Sequence, residues 1–118
     1  MQYFVDPESL PVPVAVTTGF FDGIHRGHQQ VLQTLRAVAA EKNLPSCVVS
    51  FWPHPRVVLG NANELKLLTE LEEKKSLLEE FGIDYLVIFT FSREFAALES
   101  DRFFEDILIR RVGAAHLV

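Results

Sequence analysis

The chain has 118 residues, a formal net charge of -5 and a hydrophobic fraction of 48%. This length suits one small domain with an apolar core, and the negative charge argues against a broad basic surface for nucleic acid. The single cysteine, Cys47, excludes an intrachain disulfide and a zinc cluster of several cysteines. No apolar run reaches the roughly 18 residues of a membrane span. We expect no signal peptide, because the N-terminal residues lack a basic region followed by an apolar run. We therefore expect a cytoplasmic protein that does not bind a membrane.

Strand and helix patterns alternate from the first element onward. Residues 12–18 are rich in β-branched side chains and end at Gly19, which predicts a strand. Residues 27–43 predict a helix, because their apolar side chains recur at offsets of one, four, seven and eight. Residues 46–51 predict a second strand, which the prolines that follow cannot extend because they lack an amide donor.

The second half of the chain continues the alternation. A helix is predicted over residues 69–81, with Thr69 and Glu72 as a capping box and Gly82 as its left-handed end. Residues 85–91 are nearly all apolar and predict a third strand.

A last helix is predicted over residues 100–112, capped by Ser100 and closed by Gly113, before a fourth strand over residues 114–118. This alternation predicts an α/β fold with a parallel sheet that has helices on both faces. Ligands of such sheets bind at the carboxyl ends of the strands. The rule points to two loops, at residues 19–28 and 52–60.

The first loop combines glycines with histidines. Residues 18–28 read TGFFDGIHRGH, and they join the first strand to the first helix. Glycine permits a sharp turn and a close approach to a ligand, and the amides of a helix N-terminus favour phosphate. His25 and His28 are three residues apart, so both rings can donate hydrogen bonds to phosphate oxygens.

Simpler interpretations of this loop remain open. The glycines suit a tight turn, and the histidines suit a helix cap or a cover for the core. Asp22 before Gly23 is typical of an Asx turn, which we favour over contact with substrate. A zinc hydrolase that uses Asp22, His25 and His28 is a further alternative, but it leaves the glycine spacing unexplained.

The second loop holds a histidine between two prolines. Residues 50–56 read SFWPHPR, and the proline rings restrict the backbone on both sides of His54. A stiff connector with a surface histidine is the plain alternative, and Trp52 suits simple packing.

Together the strings GxFDGxHxGH and FxPHP resemble the two signatures of FAD synthetases, in the nucleotidyltransferase superfamily with a HIGH-type motif. Phe20 stands where relatives commonly have Asn. The resemblance implies a Rossmann-like sheet and an FMN adenylyltransferase, which transfers AMP from ATP to FMN and releases FAD and pyrophosphate. It implies ATP with Mg²⁺, FMN as substrate and FAD as product.

The resemblance also implies roles for individual residues. His25 and His28 are the expected catalytic residues. The expected ATP-binding residues are Gly19, Phe20, Phe21, Asp22, Gly23, His25, Gly27 and His28. The expected substrate-binding residues are Phe51, Pro53, His54 and Pro55. No protein ligand to a metal is predicted.

The resemblance extends over nearly the whole chain. We expect residues 1–118 to be part of a nucleotidyltransferase domain that is incomplete at its C-terminus, with the riboflavin kinase domain of this bifunctional family absent. Two alternatives remain: a HIGH-type transferase for another phosphorylated substrate, which would lack the second signature, and a catalytically idle nucleotide-binding fragment.

Overall fold

A parallel sheet forms the centre of the computed structural model, which describes residues 1–19, 26–52, 64–90 and 102–118. The strands are β1 (Gln2–Val5), β2 (Val14–Thr18), β3 (Ser46–Trp52), β4 (Tyr85–Thr90) and β5 (Ala114–Leu117). Across these described ranges they pair in the order β1-β4-β3-β2-β5, and every pair is parallel. The helices are α1 (Arg26–Lys42), α2 (Glu64–Glu80) and α3 (Phe103–Val112). The predicted parallel α/β fold is confirmed.

Successive side chains of the strands point to opposite faces, so the sheet has two apolar cores. One face packs against α1 and α2 and buries Ala15, Leu32, Leu35, Ala39, Val48, Leu71, Leu78, Leu86 and Ile88. The other face packs against α3 and buries Val14, Val16, Cys47, Val49, Val87, Phe89, Ile107, Leu108 and Val112. Helices on both faces are therefore confirmed, and the continuous apolar strands follow from burial on both sides.

The sequence patterns did not indicate β1. This strand has four residues and pairs in parallel with β4 from Gln2 opposite Tyr85 to Val5 opposite Ile88. Asp6 fixes its end, because the Asp6 carboxylate accepts hydrogen bonds from the Thr90 amide at 2.8 Å and the Thr90 hydroxyl at 2.6 Å. A segment this short becomes a strand through its partner, which local composition does not reveal.

The predicted start of the second helix is wrong. α2 begins at Glu64, so Thr69 lies inside the helix and not at the N-cap position that a capping box requires. Residues 64–68 are Glu, Leu and Lys, which are strong helix formers and extend the helix upstream of Thr69.

Two glycines end helices as predicted. Gly82 follows α2 with φ of 79°, and Gly113 follows α3 with φ of 73°. The Gly113 amide donates to the Leu108 carbonyl oxygen, in keeping with the π-helical winding of α3. Ser100, the predicted cap of this helix, lies outside the described residues.

Candidate functional site

The carboxyl end of β2 is where the chain enters the first predicted loop. The Gly19 amide donates a hydrogen bond to the Val49 carbonyl oxygen at 3.0 Å, so pairing with β3 continues one residue past β2. The chain forms a helix again at Arg26, where α1 begins. Gly19 therefore lies at the carboxyl edge of the sheet, where open α/β sheets bind their ligands.

A cleft of about 460 Å³ opens between the end of β2 and the first half of α1. Its lining consists of Thr17, Thr18, Gly19, His28, Gln30, Val31, Thr34 and Val118. The volume falls within the roughly 300–1,000 Å³ of small-molecule sites. Two residues predicted to bind ATP, Gly19 and His28, thus line one cleft.

The cleft lies where the strand order of the sheet reverses. From β2 the chain passes to β3 and then to β4 on one side, whereas β5 pairs with the opposite side of β2. The Val118 amide after β5 donates to the Val16 carbonyl oxygen at 2.9 Å, which brings the end of β5 beside the end of β2. Such a reversal leaves a crevice at the carboxyl ends of the strands, and open α/β sheets bind ligands there.

His28 is the third residue of α1 and is half-buried. The first turn of a helix has amides without intrahelical partners and the positive end of the helix dipole. An imidazole next to these donors adds a further hydrogen-bonding group. The arrangement suits an anion such as phosphate.

Two threonine hydroxyl groups of the cleft lining donate hydrogen bonds to backbone carbonyl oxygens. The Thr17 hydroxyl donates to the Val118 carbonyl oxygen at 3.4 Å, and the Thr34 hydroxyl donates to the Gln30 carbonyl oxygen at 3.0 Å. Thr17 is nearly fully buried, so its contact ties β2 to the end of β5. These residues shape the cleft wall.

Neither a strained backbone nor steric crowding explains why residue 27 is glycine. The positive φ angles among the described glycines belong to Gly82 and Gly113. A Cβ built on Gly27 meets no atom within 4 Å. Close approach of a ligand to the backbone is a physical reason for glycine at this position.

Phe51, from the second predicted loop, has a structural environment. Its side chain is half-buried and packs against the core on the face that α3 covers. α1, with His28, lies on the other face. A role for Phe51 in substrate binding stays a prediction.

The other predicted site residues lie outside the described residues. They are Phe20, Phe21, Asp22, Gly23 and His25 in the first loop, and Pro53, His54 and Pro55 in the second.

Sequence reasoning missed the side chains that complete the cleft. Val31 and Thr34 follow His28 at helical spacings of three and six, which places them on the same side of α1. The helical spacing from His28 could therefore have predicted that Val31 and Thr34 line the same site. Val118 had no such signal, since its place beside β2 depends on the strand order.

Cys47 is excluded as a nucleophile. It lies in β3 and is fully buried. Burial raises the pKa of the Cys47 thiol to about 12, so the thiolate is scarcely populated at neutral pH.

Neither a metal-binding cluster nor a membrane-spanning helix occurs in the described ranges. Among these residues, no group of three or more His, Cys, Asp or Glu side chains could hold a metal ion. Nor is any described helix long and apolar enough to cross a membrane.

A fold comparison supports the architecture. A solved structure described as a macrolide-efflux protein from Streptococcus pneumoniae matches with a TM-score of 0.77 over 95% of this chain and 46% of the other. The sequence identity is 24%, so this likeness shows the fold alone.

Curated relatives share more of the sequence. The bifunctional riboflavin kinase/FMN adenylyltransferase of Escherichia coli K12 is 39% identical over 86% of this chain and 33% of its own length. The Bacillus subtilis protein of the same name is 41% identical over 77% of this chain and 29% of its own length. The chain thus spans about a third of the length of these relatives.

The family model covers the region that contains the cleft and most of the sheet. Residues 8–118 match the model described as FAD synthetase, and this range includes both sequence signatures and β2 to β5. The chain belongs to the FAD synthetase family.

Proposed function

We propose that this chain is part of an adenylyltransferase domain that transfers AMP from ATP to FMN and forms FAD and pyrophosphate. The observation that carries the proposal is the cleft at the strand reversal, whose lining includes both Gly19 and His28 beside the start of α1. Family membership and the names of the E. coli and B. subtilis relatives support FMN as the acceptor. As in those relatives, we propose a parent protein that also phosphorylates riboflavin, and a cytoplasmic location.

The proposed reaction is an in-line displacement. An oxygen of the FMN phosphate attacks the α-phosphorus of ATP and forms the new P–O bond. The bond from the α-phosphorus to the oxygen that bridges to the β-phosphorus breaks, and pyrophosphate leaves with that electron pair. No covalent enzyme intermediate is required, so the protein acts by positioning and by stabilising charge.

The described residues suit that task. The start of α1 offers amides to the triphosphate, and His28 donates a hydrogen bond to a non-bridging oxygen as negative charge develops. Gly19 and Gly27 let the phosphates approach the backbone. His25 is proposed as the second imidazole, with Phe20, Phe21, Asp22 and Gly23 completing the ATP loop.

Magnesium is proposed to bind together with ATP, as part of the substrate. Bound to phosphate oxygens, Mg²⁺ offsets their negative charge and retains several of its waters. The chain's own contribution is the helix start and the imidazole.

Acceptor specificity tests the proposal. The protein that contains this chain is incubated with ATP, Mg²⁺ and either FMN, nicotinate mononucleotide, pantetheine phosphate or glycerol 3-phosphate, and pyrophosphate release is measured. We expect release with FMN, together with FAD on chromatography and quenching of flavin fluorescence when FMN binds. Equal turnover with another acceptor favours a different HIGH-type transferase.

The idle-fragment alternative has its own test. The 118-residue chain is titrated with ATP and FMN and assayed for pyrophosphate. Binding of nucleotide without any release favours a nucleotide-binding unit whose catalysis needs further residues.

A further inference from the structure

Val31 is an exposed apolar side chain on α1. Its exposed fraction is 37%, so the core leaves a large part of it uncovered. It lies three residues after His28, which is about 4.5 Å further along the helix axis and on the same side of α1. Both residues line the cleft at the carboxyl end of β2. The cleft therefore changes from a polar end at the helix start to an apolar wall one turn later.

Val118 adds apolar surface to the cleft from the side of the sheet. Its side chain is half-buried against the core on the α1 face, and its amide donates to the Val16 carbonyl oxygen at 2.9 Å. The Thr17 and Thr34 hydroxyl groups donate to backbone carbonyl oxygens, so their protons are used within the protein. Val31 and Val118 therefore offer a ligand apolar contact in this part of the cleft.

An ATP molecule has the same division of polarity. Its triphosphate requires hydrogen-bond donors, which the first-turn amides of α1 and the His28 imidazole can supply. Its adenine is a flat ring whose faces pack well against apolar side chains, and small-molecule pockets typically combine such walls with a few polar groups. The polar end of the cleft thus suits the phosphates, and the apolar wall suits the base.

The flavin ring of FMN is the other flat group in the proposed reaction. Phe51, which is predicted to bind FMN, packs against the core on the face that α3 covers. Val31 belongs to α1, which packs on the opposite face of the sheet. This separation favours adenine over the flavin ring next to Val31.

We propose that Val31, together with Val118, forms the apolar surface that binds the adenine base of ATP, so that Val31 contributes to the choice of nucleotide donor. The inference rests on the proposed function, because ATP is the donor only if that function holds. Neither residue belongs to the two sequence signatures.

The test compares ATP with inorganic tripolyphosphate, which has three phosphates but no base. Titration calorimetry of the parent protein with Mg²⁺ gives a Kd for each, and FAD formation gives KM for FMN. For Val31→Ala we expect Kd for ATP to rise about tenfold, the order expected when an apolar contact loses two methyl groups. We expect Kd for tripolyphosphate and KM for FMN to change by less than about twofold.

Val12→Ala is the matched control, because Val12 is 39% exposed and lies outside the cleft lining. We expect it to leave both dissociation constants within about twofold of those of the unmodified protein. Val31→Ala should retain the fold, since alanine is the strongest helix former. Val31→Thr is the second variant: it keeps the shape of the side chain but replaces a methyl group with a hydroxyl, and it should also weaken ATP more than tripolyphosphate.

The outcomes separate the two proposals. If the unmodified protein binds ATP but does not form FAD from FMN, the proposed function fails, and the two dissociation constants still decide whether Val31 contacts the base. If Val31→Ala weakens ATP and tripolyphosphate equally, or leaves both unchanged, only the role of Val31 is overturned. A rise in KM for FMN without a change in Kd for ATP would place the flavin at this wall and would also overturn it.

Two further results would contradict the inference. Tripolyphosphate that does not bind the unmodified protein would remove the phosphate site from which the position of the base is argued. Failure of both Val31→Ala and Val31→Thr to fold, measured by urea unfolding, would show that Val31 serves the fold.

Discussion

His28 connects the sequence signature to the geometry of the cleft. Its place in the first turn of α1 combines an imidazole with amides that have no partner within the helix. Its half-buried side chain is not part of either apolar core. Removing the ring should therefore affect chemistry more than folding. Cys47 presents the opposite case, because its thiol is enclosed by the core on the α3 face.

We expect His28→Ala to lower kcat for FAD formation by about 10²–10³, the typical loss for one donor to a charged transition state. The free energy of unfolding should change by less than about 1 kcal/mol. Gln29→Ala is the control, because Gln29 is exposed and is not part of the cleft lining. Rapid-quench or steady-state turnover and urea unfolding measure the two effects, and unchanged turnover in His28→Ala contradicts the proposed role.

The raised pKa of the Cys47 thiol predicts that the protein loses stability at alkaline pH. Its pKa is about 12 in the folded protein against an ordinary value of 9.0, so above pH 9 the unfolded chain releases the thiol proton first. Stability from this group is fully present below pH 9 and decreases as pH rises towards 12, by up to about 1.4 kcal/mol per pH unit. Urea unfolding between pH 8 and 10 should show a steeper loss in the unmodified protein than in Cys47→Ala. Parallel slopes for the two proteins would be inconsistent with this assignment.

Elements with strong local signals were predicted well. The helix predicted over residues 27–43 is α1, Arg26–Lys42, because apolar residues at helical spacing and the following Pro45 define it locally. The start of α2 was not predicted, since a Thr-x-x-Glu pattern also occurs inside helices that contain many glutamates.

Gly82 should be the sensitive position at the end of α2. Its φ of 79° disfavours a side chain, and a Cβ there would lie 3.2 Å from the Arg36 guanidinium carbon. We expect Gly82→Ala to lower the free energy of unfolding by about 1–2 kcal/mol. Gly27→Ala is the stability control, because it lies in α1 with open space around it and should be neutral or stabilising by up to about 1 kcal/mol. Urea unfolding compares the two variants, and an equal loss in both would argue against backbone strain at Gly82.

At the scale of the whole molecule, the sheet has a protected centre and exposed edges. β3 lies between β4 and β2, and β4 lies between β1 and β3. Val48, Val49, Leu86 and Val87 are fully buried, whereas Val5 in β1 and Leu117 in β5 are about half exposed. Local opening therefore begins at lower free energy at the edges than at the centre.

Hydrogen exchange measures this gradient. Amides of β3 and β4 should exchange at least about tenfold more slowly than those of β1 and β5. β1 amides that are protected as long as β4 amides would show that the sheet opens only as one unit.

The sequence by itself determined the α/β class, the first helix, the glycine helix ends and the two family signatures, because these depend on short-range spacing and on residue identity. The tertiary structure decided that β1 joins the sheet and that β5 lies beside β2. The Thr17 to Val118 hydrogen bond joins residues 101 positions apart, and no local pattern encodes such a pairing. The cleft belongs to this second group, since it exists only where the two sides of the strand order meet.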